Sequence, residues 1–336
     1  MLIKMFTIKG KKMSIIKKLL LIALSACVLI VATGCGKNDQ MAQVEGKINV
    51  LTSFYPLYYF AKEIGGDRAN VVNLVAAGVE PHEWTPKSRD LDAVSKAQIF
   101  LYNGAGLEGW VKGFLNGLGS DSKVLTVEAS HGIKLISGNP EKDSEEDSGE
   151  DHTADEQHSH SDGDVDPHTW VSPRSAMVMA ANIRDAFVKT DPEHKAEYET
   201  RYESIKDRLG QLDAKFTVQL SVYKRRDIVV SHQAFGYLCR DYNLNQIAIM
   251  GLSPDAEPRA QDLLNIARFV KENDIPYIFF EELVSEQLAQ TLAREAKVDT
   301  LVLNPLEGLT PEQDKAGENY ITLMEKNLQN LQKALQ

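Results

Sequence analysis

Ile228-Val229-Val230-Ser231-His232-Gln233-Ala234-Phe235-Gly236-Tyr237 passes from a strand to a helix with a histidine at the join. The run Ile228–Ser231 is short and largely apolar, the pattern of a strand in a parallel sheet covered on both faces. Moving outward, the same alternation recurs. Downstream strands are predicted at Ile247–Met250, Tyr277–Phe280 and Leu301–Leu303, with helices near 234–242, 259–272 and 284–297 and a final amphipathic helix near 311–334. Upstream, strands are predicted at Ile48–Thr52, Val71–Val75, Ile99–Tyr102 and Val124–Val127, with helices near 56–64, 88–96 and 107–117. The fold class is α/β, with two lobes.

The two halves meet at a long helical segment. Ser172-Pro173 opens a helix with Pro in its first turn, Asp191-Pro192 ends it, and a charged helix follows from about 193 to 222. A long helix joining two lobes acts as a strut rather than a flexible linker. The division predicted is a signal peptide at 1–34, a tether at 35–46, a first lobe at 47–171, linking helices at 172–225 and a second lobe at 226–336. Inside the first lobe, 139–166 stands apart. From Glu141 to Asp166 it holds twelve acids and three histidines with almost nothing apolar, so it cannot bury a core and is predicted to be a disordered loop.

The N-terminus reads as an export signal. Residues 1–18 carry six lysines and no acid, and the apolar run Leu19–Thr33 is shorter than the roughly 20 residues that span a bilayer. Ala32-Thr33-Gly34-Cys35 resembles the lipobox of bacterial lipoproteins, and Leu24-Ser25-Ala26-Cys27 is a rival that would leave Val28–Val31 on the mature end. Cys35 is the expected lipidation site. A chain processed there keeps Cys239 as its one thiol and forms no internal disulfide. Without the six signal lysines, 31 basic residues face 48 acids, a net charge of −17. That balance argues against nucleic-acid binding. Attachment to the membrane then rests on the lipid, and the chain is expected to be extracytoplasmic and monomeric.

Two Pro-His-x-Trp tetrads, Pro81-His82-Glu83-Trp84 and Pro167-His168-Thr169-Trp170, flank the acidic segment. Pro fixes the backbone, His offers a nitrogen ligand and Trp an apolar wall. In open parallel α/β sheets, sites form beyond the carboxyl ends of strands. His82, His168, His232 and Glu307 all fall in loops compatible with that position, two from each lobe. Glu281 and Glu282, at the end of the strand at 277–280, rival Glu307 for the carboxylate. Three imidazoles and a carboxylate suit Zn²⁺. His152, His158 and His160 of the acidic segment are auxiliary candidates, whereas His131 and His194 read as surface residues.

On these residues the chain resembles the zinc/manganese-specific solute-binding lipoproteins of bacterial ABC importers. The carriers are Gly78–Trp84, Asp166–Trp170, Ser231–Tyr237, Gly251-Leu252-Ser253-Pro254-Asp255-Ala256-Glu257-Pro258 and Leu303–Thr310. The resemblance implies two Rossmann-like (βα)4-type lobes joined by a long linking helix and a metal site in the interlobe cleft, with His82, His168, His232 and Glu307 as ligands in preference to Glu281 or Glu282. Manganese-selective relatives typically carry Glu and Asp at the third and fourth positions. His232 and Glu307 place this chain with the zinc branch, as does the His-rich acidic segment.

The expected function is therefore an extracytoplasmic receptor that hands Zn²⁺, its cargo, to an ABC permease driven by its ATPase. The alternatives are a manganese receptor of the same class, an adhesin, and a lipid-anchored zinc hydrolase. The hydrolase is disfavoured because a catalytic zinc usually keeps an open position and no His-Glu-x-x-His helix is present. The chain is not expected to be an enzyme.

Overall fold

The computed structural model describes residues 43–138, 165–254 and 258–336. The expected signal peptide, Cys35, most of the tether, His152, His158, His160 and residues 139–164 of the acidic segment lie outside the described residues. Gln43–Gln336 forms one compact unit.

The first lobe is built on β1 (Ile48–Thr52), β2 (Ala69–Asn73), β3 (Ile99–Tyr102) and β4 (Leu125–Glu128). Around them lie α1 (Tyr55–Gly65), α2 (Ser88–Ser95) and α3 (Val111–Gly117). The second uses β5 (Asp227–Val230), β6 (Asn245–Ala248), β7 (Tyr277–Phe280) and β8 (Asp299–Val302), with α6 (Gly236–Tyr242), α7 (Ala260–Glu272) and α8 (Gln287–Ala296). Between the lobes run α4 (Pro173–Thr190) and α5 (Lys195–Ser221), and the chain closes with α9 (Pro311–Ala316) and α10 (Tyr320–Leu335). All ladders are parallel, and the orders β2-β1-β3-β4 and β6-β5-β7-β8 are the same arrangement used twice. In each sheet the first strand sits between the second and third. That is the switch point where open sheets leave a crevice beyond their carboxyl ends.

The central strands β1, β3 and β7 span the residues that hydrophobicity predicts, and β5 starts one residue early. The two-residue shifts are all at edge strands. β2, β6 and β8 begin two residues upstream, at Ala69, Asn245 and Asp299, and β4 is one residue later than predicted. Edge strands tolerate polar residues at their starts, such as Asn70, Asn245, Gln246 and Asp299, which an apolar-run reading discounts.

The single terminal helix predicted near 311–334 is two helices. Gly317, at φ 72°, takes the left-handed conformation that ends α9, and the Asn319 side chain then accepts from the Ile321 and Thr322 amides to start α10. Thr310 caps α9 through the Gln313 amide.

Helix α5 lies along both lobes. Its buried stripe of Tyr198, Tyr202, Ile205, Leu209, Leu212, Phe216 and Leu220 follows helical spacing. Near its start Glu197 pairs with Arg68 at 2.9 Å, and Arg208 reaches Glu63 of α1. Near its end Asp213 accepts from the Tyr242 hydroxyl at 3.0 Å, and Lys215 pairs with Glu325 of α10. Helix α10 makes a second brace. Tyr320 is fully buried, stacks on Tyr59 of α1 and donates to the Trp170 carbonyl at 2.6 Å. One apolar core runs through both lobes and the helices between them, and a smaller one lies under α7 and α8.

Candidate metal centre

Each of the four predicted ligand residues is placed by a short loop at a strand end or by the segment entering α4. His232 lies just past β5, and its ring is oriented by Glu281 at the end of neighbouring β7. One carboxylate oxygen of Glu281 accepts from both the His232 amide at 3.2 Å and its Nδ1–H at 2.8 Å. His168 repeats the device: Asp166 Oδ1 accepts from the His168 amide at 2.9 Å and from Nδ1–H at 2.8 Å. A carboxylate on Nδ1 orients the ring and aims Nε2 at the centre, where its lone pair becomes available to a cation once that nitrogen gives up its proton.

Asn103, just past β3, secures the segment around His168. Its Nδ2 donates to the Pro167 carbonyl at 2.9 Å, and its Oδ1 accepts from Thr169 Oγ1 at 3.0 Å. Asn103 is in turn held by Glu108, which also accepts from Ser53 at 2.6 Å.

His82 follows β2 through the loop 74–87. The Gly78 amide donates across the cleft to the Leu309 carbonyl at 2.8 Å, and Glu80 accepts from the His82 amide at 2.9 Å. The two tryptophans of the tetrads play different parts. Trp170 is fully buried beside His168, with ring centres 5.2 Å apart. Trp84, partly exposed, packs edge-on against Trp110 at 5.3 Å.

The donor atoms converge. His82 Nε2 is 3.2 Å from His168 Nε2, which is 3.3 Å from His232 Nε2. Glu307 Oε1 lies 3.3, 3.3 and 3.4 Å from the Nε2 atoms of His82, His168 and His232. A tetrahedron with corners about 2.0–2.1 Å from its centre, the zinc–imidazole distance, has edges of roughly 3.3–3.4 Å. Five of its six edges are therefore present within about 0.1 Å. His168, His232 and Glu307 are buried and His82 nearly so, and among the described residues these four form the one cluster of potential metal donors.

The electrostatics are those of a cation site. Burial would push His232 down, but the charges of Glu281 and Glu307 outweigh it and hold its pKa well above the ordinary range. For Glu307, burial opposes ionisation, yet His232 and the hydrogen bonds from His168, His232 and His82 hold it well below the carboxylate range. His168 is raised in spite of burial by Asp166 and Glu307. Burial, reinforced by the Glu307 charge, pushes Glu80 up to about 9, so it stands protonated at neutral pH.

Glu281 and Glu282, the sequence rivals of Glu307, have other work. Glu281 orients His232, and Glu282 accepts from Asn304 at 2.8 Å and Gln313 at 2.6 Å. Sequence reasoning missed the orienting role of Asp166, although its place two residues before His168 carries that signal. His131 is exposed, and His194 pairs with Asp191 at 2.7 Å.

Gly236 is required by this packing. A Cβ there would lie 2.3 Å from Asp166 Oδ2 and 2.7 Å from Ile136 Cδ1.

The family model for the zinc-uptake complex component A, periplasmic, matches residues 50–334. The zinc-binding lipoprotein AdcA of Streptococcus pneumoniae is 42% identical over 315 residues, 94% of this chain. The chain spans 60% of the length of that relative. The high-affinity zinc uptake system protein ZnuA of Bacillus subtilis is 37% identical over 318 residues, covering 94% of this chain and 97% of the relative. Among solved structures, the Zn(II)-bound ZnuA-like domain of the pneumococcal AdcA matches at TM-score 0.72 and 41% identity, over 86% of this chain and 99% of that one. The laminin-binding protein of Streptococcus agalactiae, described as a bifunctional adhesin and metal transporter, matches at TM-score 0.73 and 29% identity, over 86% of this chain and all of that one.

Proposed function

The chain belongs to the family of zinc-uptake complex component A, and from that premise we propose that it is an extracytoplasmic zinc receptor that delivers Zn²⁺ to an ABC permease. The observation that carries the reading is the near-tetrahedral set of three Nε2 atoms and one Glu307 oxygen, with edges of 3.2–3.4 Å. Three neutral imidazoles and one carboxylate suit zinc, whereas manganese favours oxygen donors. Four protein donors leave no open position of the kind a hydrolytic zinc needs.

In this reading His82 and His168 supply half of the site from the first lobe, and His232 and Glu307 close it from the second. Capture exchanges the His232 proton for the cation, while Asp166 and Glu281 hold their imidazoles in register. Release to the permease follows a small movement of the second lobe that withdraws Glu307 or His232. Cys35 is the proposed lipid anchor, and His152, His158 and His160 are proposed as auxiliary zinc donors feeding the cleft.

Zinc titration of the purified protein and of His82→Ala, His168→Ala and His232→Ala tests the ligand set. Each variant should bind far more weakly, and unchanged affinity in any one removes that residue from the site. Competition between Zn²⁺ and Mn²⁺ tests the choice of metal. The streptococcal laminin-binding relative favours a second, adhesive reading. Laminin binding that survives His82→Ala would support it as a surface property independent of the metal.

A further inference from the structure

We propose that Asn327 of α10 is a positioning residue for Glu307, acting through the backbone of Asn304; the proposal rests on the reading of Glu307 as a ligand. The Asn327 side chain is 2% exposed and grips both polar groups of one residue. Its Oδ1 accepts from the Asn304 amide at 2.8 Å, and its Nδ2 donates to the Asn304 carbonyl at 2.6 Å. Asn304 passes the constraint on. Its Oδ1 accepts from the Leu306 amide at 2.7 Å, and its Nδ2 donates to the Glu282 oxygen that also accepts from Gln313.

Between Asn304 and Glu307 the backbone takes a conformation it would not choose alone. Leu306 sits at φ 61°, in the left-handed region that side chains disfavour, and its own side chain is fully buried. Such a turn persists where its surroundings over-determine it. The Asn327–Asn304–Leu306 chain of hydrogen bonds is that determination. The Glu307 carboxylate meets the three histidine rings through Oε1 and the Glu80 carboxyl beside them, and the loop backbone sets the point from which it reaches them. Helix α10 thus reaches the centre without touching it.

The test is a double-mutant cycle on zinc affinity and zinc dissociation rate. Asn327→Leu keeps the shape and removes both hydrogen bonds. Asn327→Asp is the second variant: it keeps an acceptor for the Asn304 amide but sets an oxygen against the Asn304 carbonyl. With Glu307 present, either change should weaken zinc binding about 10–100-fold, the usual effect of losing an outer-shell partner. In a Glu307→Ala background the same change should cost no more than about threefold, because its route to the metal is gone. Asn330→Ala is the control, since Asn330 lies one turn along the same helix and bonds the Val302 carbonyl instead. It should leave affinity within about threefold. Equal losses in both backgrounds, or no loss when Glu307 is present, would overturn the proposal. If Glu307→Ala itself leaves zinc binding intact, Glu307 is no ligand and the positioning role falls with it.

Discussion

Trp170 Nε1 donates to the Pro305 carbonyl at 2.7 Å, joining the segment that carries His168 to the loop that carries Glu307. Both residues are buried, so the bond ties the two halves of the candidate site together where water cannot compete. Trp170 also meets Phe54 at 4.6 Å and receives the Tyr320 hydroxyl on its carbonyl. First lobe, second lobe and terminal helix therefore share one residue adjacent to the site.

Trp170→Phe should keep most of the ring packing and leave the Pro305 carbonyl without its donor. A buried polar group stripped of its partner costs about 1–3 kcal/mol, so chemical denaturation should show a loss of that size. Zinc affinity should fall at the same time. A variant as stable and as tight-binding as the parent would mean the bond has no bearing on the centre.

Asp166→Asn and Glu281→Gln should each weaken zinc binding about 10–100-fold while leaving all four donor residues in place. The amide loses the charge that favours the Nδ1–H tautomer and can present its NH₂ to the ring instead. Calorimetric titration of the two variants against His82→Ala would separate orientation from ligation.

Gly236→Ala tests the same orientation without altering a polar group. The new methyl would press on Asp166 Oδ2 and Ile136 at distances that real contacts do not sustain. Asp166 must move, and His168 with it. Affinity for zinc should drop, with faster dissociation seen by transfer to a chromophoric chelator. An unchanged rate would show that Asp166 tolerates displacement.

Proton release follows from the charge pattern. His232 is held protonated above the ordinary range in the metal-free protein, and zinc needs that nitrogen's lone pair. Affinity should therefore rise with pH through the histidine range near ~6.5 and up to the raised value of His232. Calorimetry in buffers of different ionisation enthalpy should detect release of a proton on binding at pH 7, and affinity flat from pH 6 to 8 would contradict this. The same groups set a stability window without metal. The raised His232 stabilises fully below its unfolded value near ~6.5, and this is lost as pH rises through the folded value. The depressed Glu307 stabilises above its unfolded value near ~4.3, and this is lost as pH falls through the folded one. Together they contribute most between about pH 4.3 and 6.5, a maximum that Glu307→Gln should lower in the thermal unfolding profile, with the loss concentrated on its acid side because Glu281 still raises His232.

Much of this architecture is legible in the sequence because parallel strands buried on both faces are largely apolar. β1, β3 and β7 can be read off residue by residue for that reason. The edge strands can not, since polar residues such as Asn70 and Asp299 belong to them. The break at Gly317 is hidden in the amphipathic pattern of the terminal segment, where the left-handed cap and Asn319 outweigh helical periodicity. At the site, strand-end position brings His82, His168, His232 and Glu307 forward as candidates, and the structure gathers these four. The work of Glu281 and Asn327 was not legible, because hydrogen bonds to a ring or a backbone between residues far apart in the chain depend on distances that spacing does not encode, whereas Asp166 left a trace in its place two residues before His168. The contrast between Trp84 and Trp170 is of the same kind: identical tetrads, with opposite destinations for the indole.

The most direct test of the central claim is an anomalous difference map at the zinc edge from crystals of the protein loaded with one equivalent of Zn²⁺. One dominant peak is expected, about 2.0–2.1 Å from the Nε2 atoms of His82, His168 and His232 and at a similar distance from Glu307. A dominant peak elsewhere, or one at these histidines whose fourth partner is Glu281 or Glu80 in place of Glu307, would contradict it.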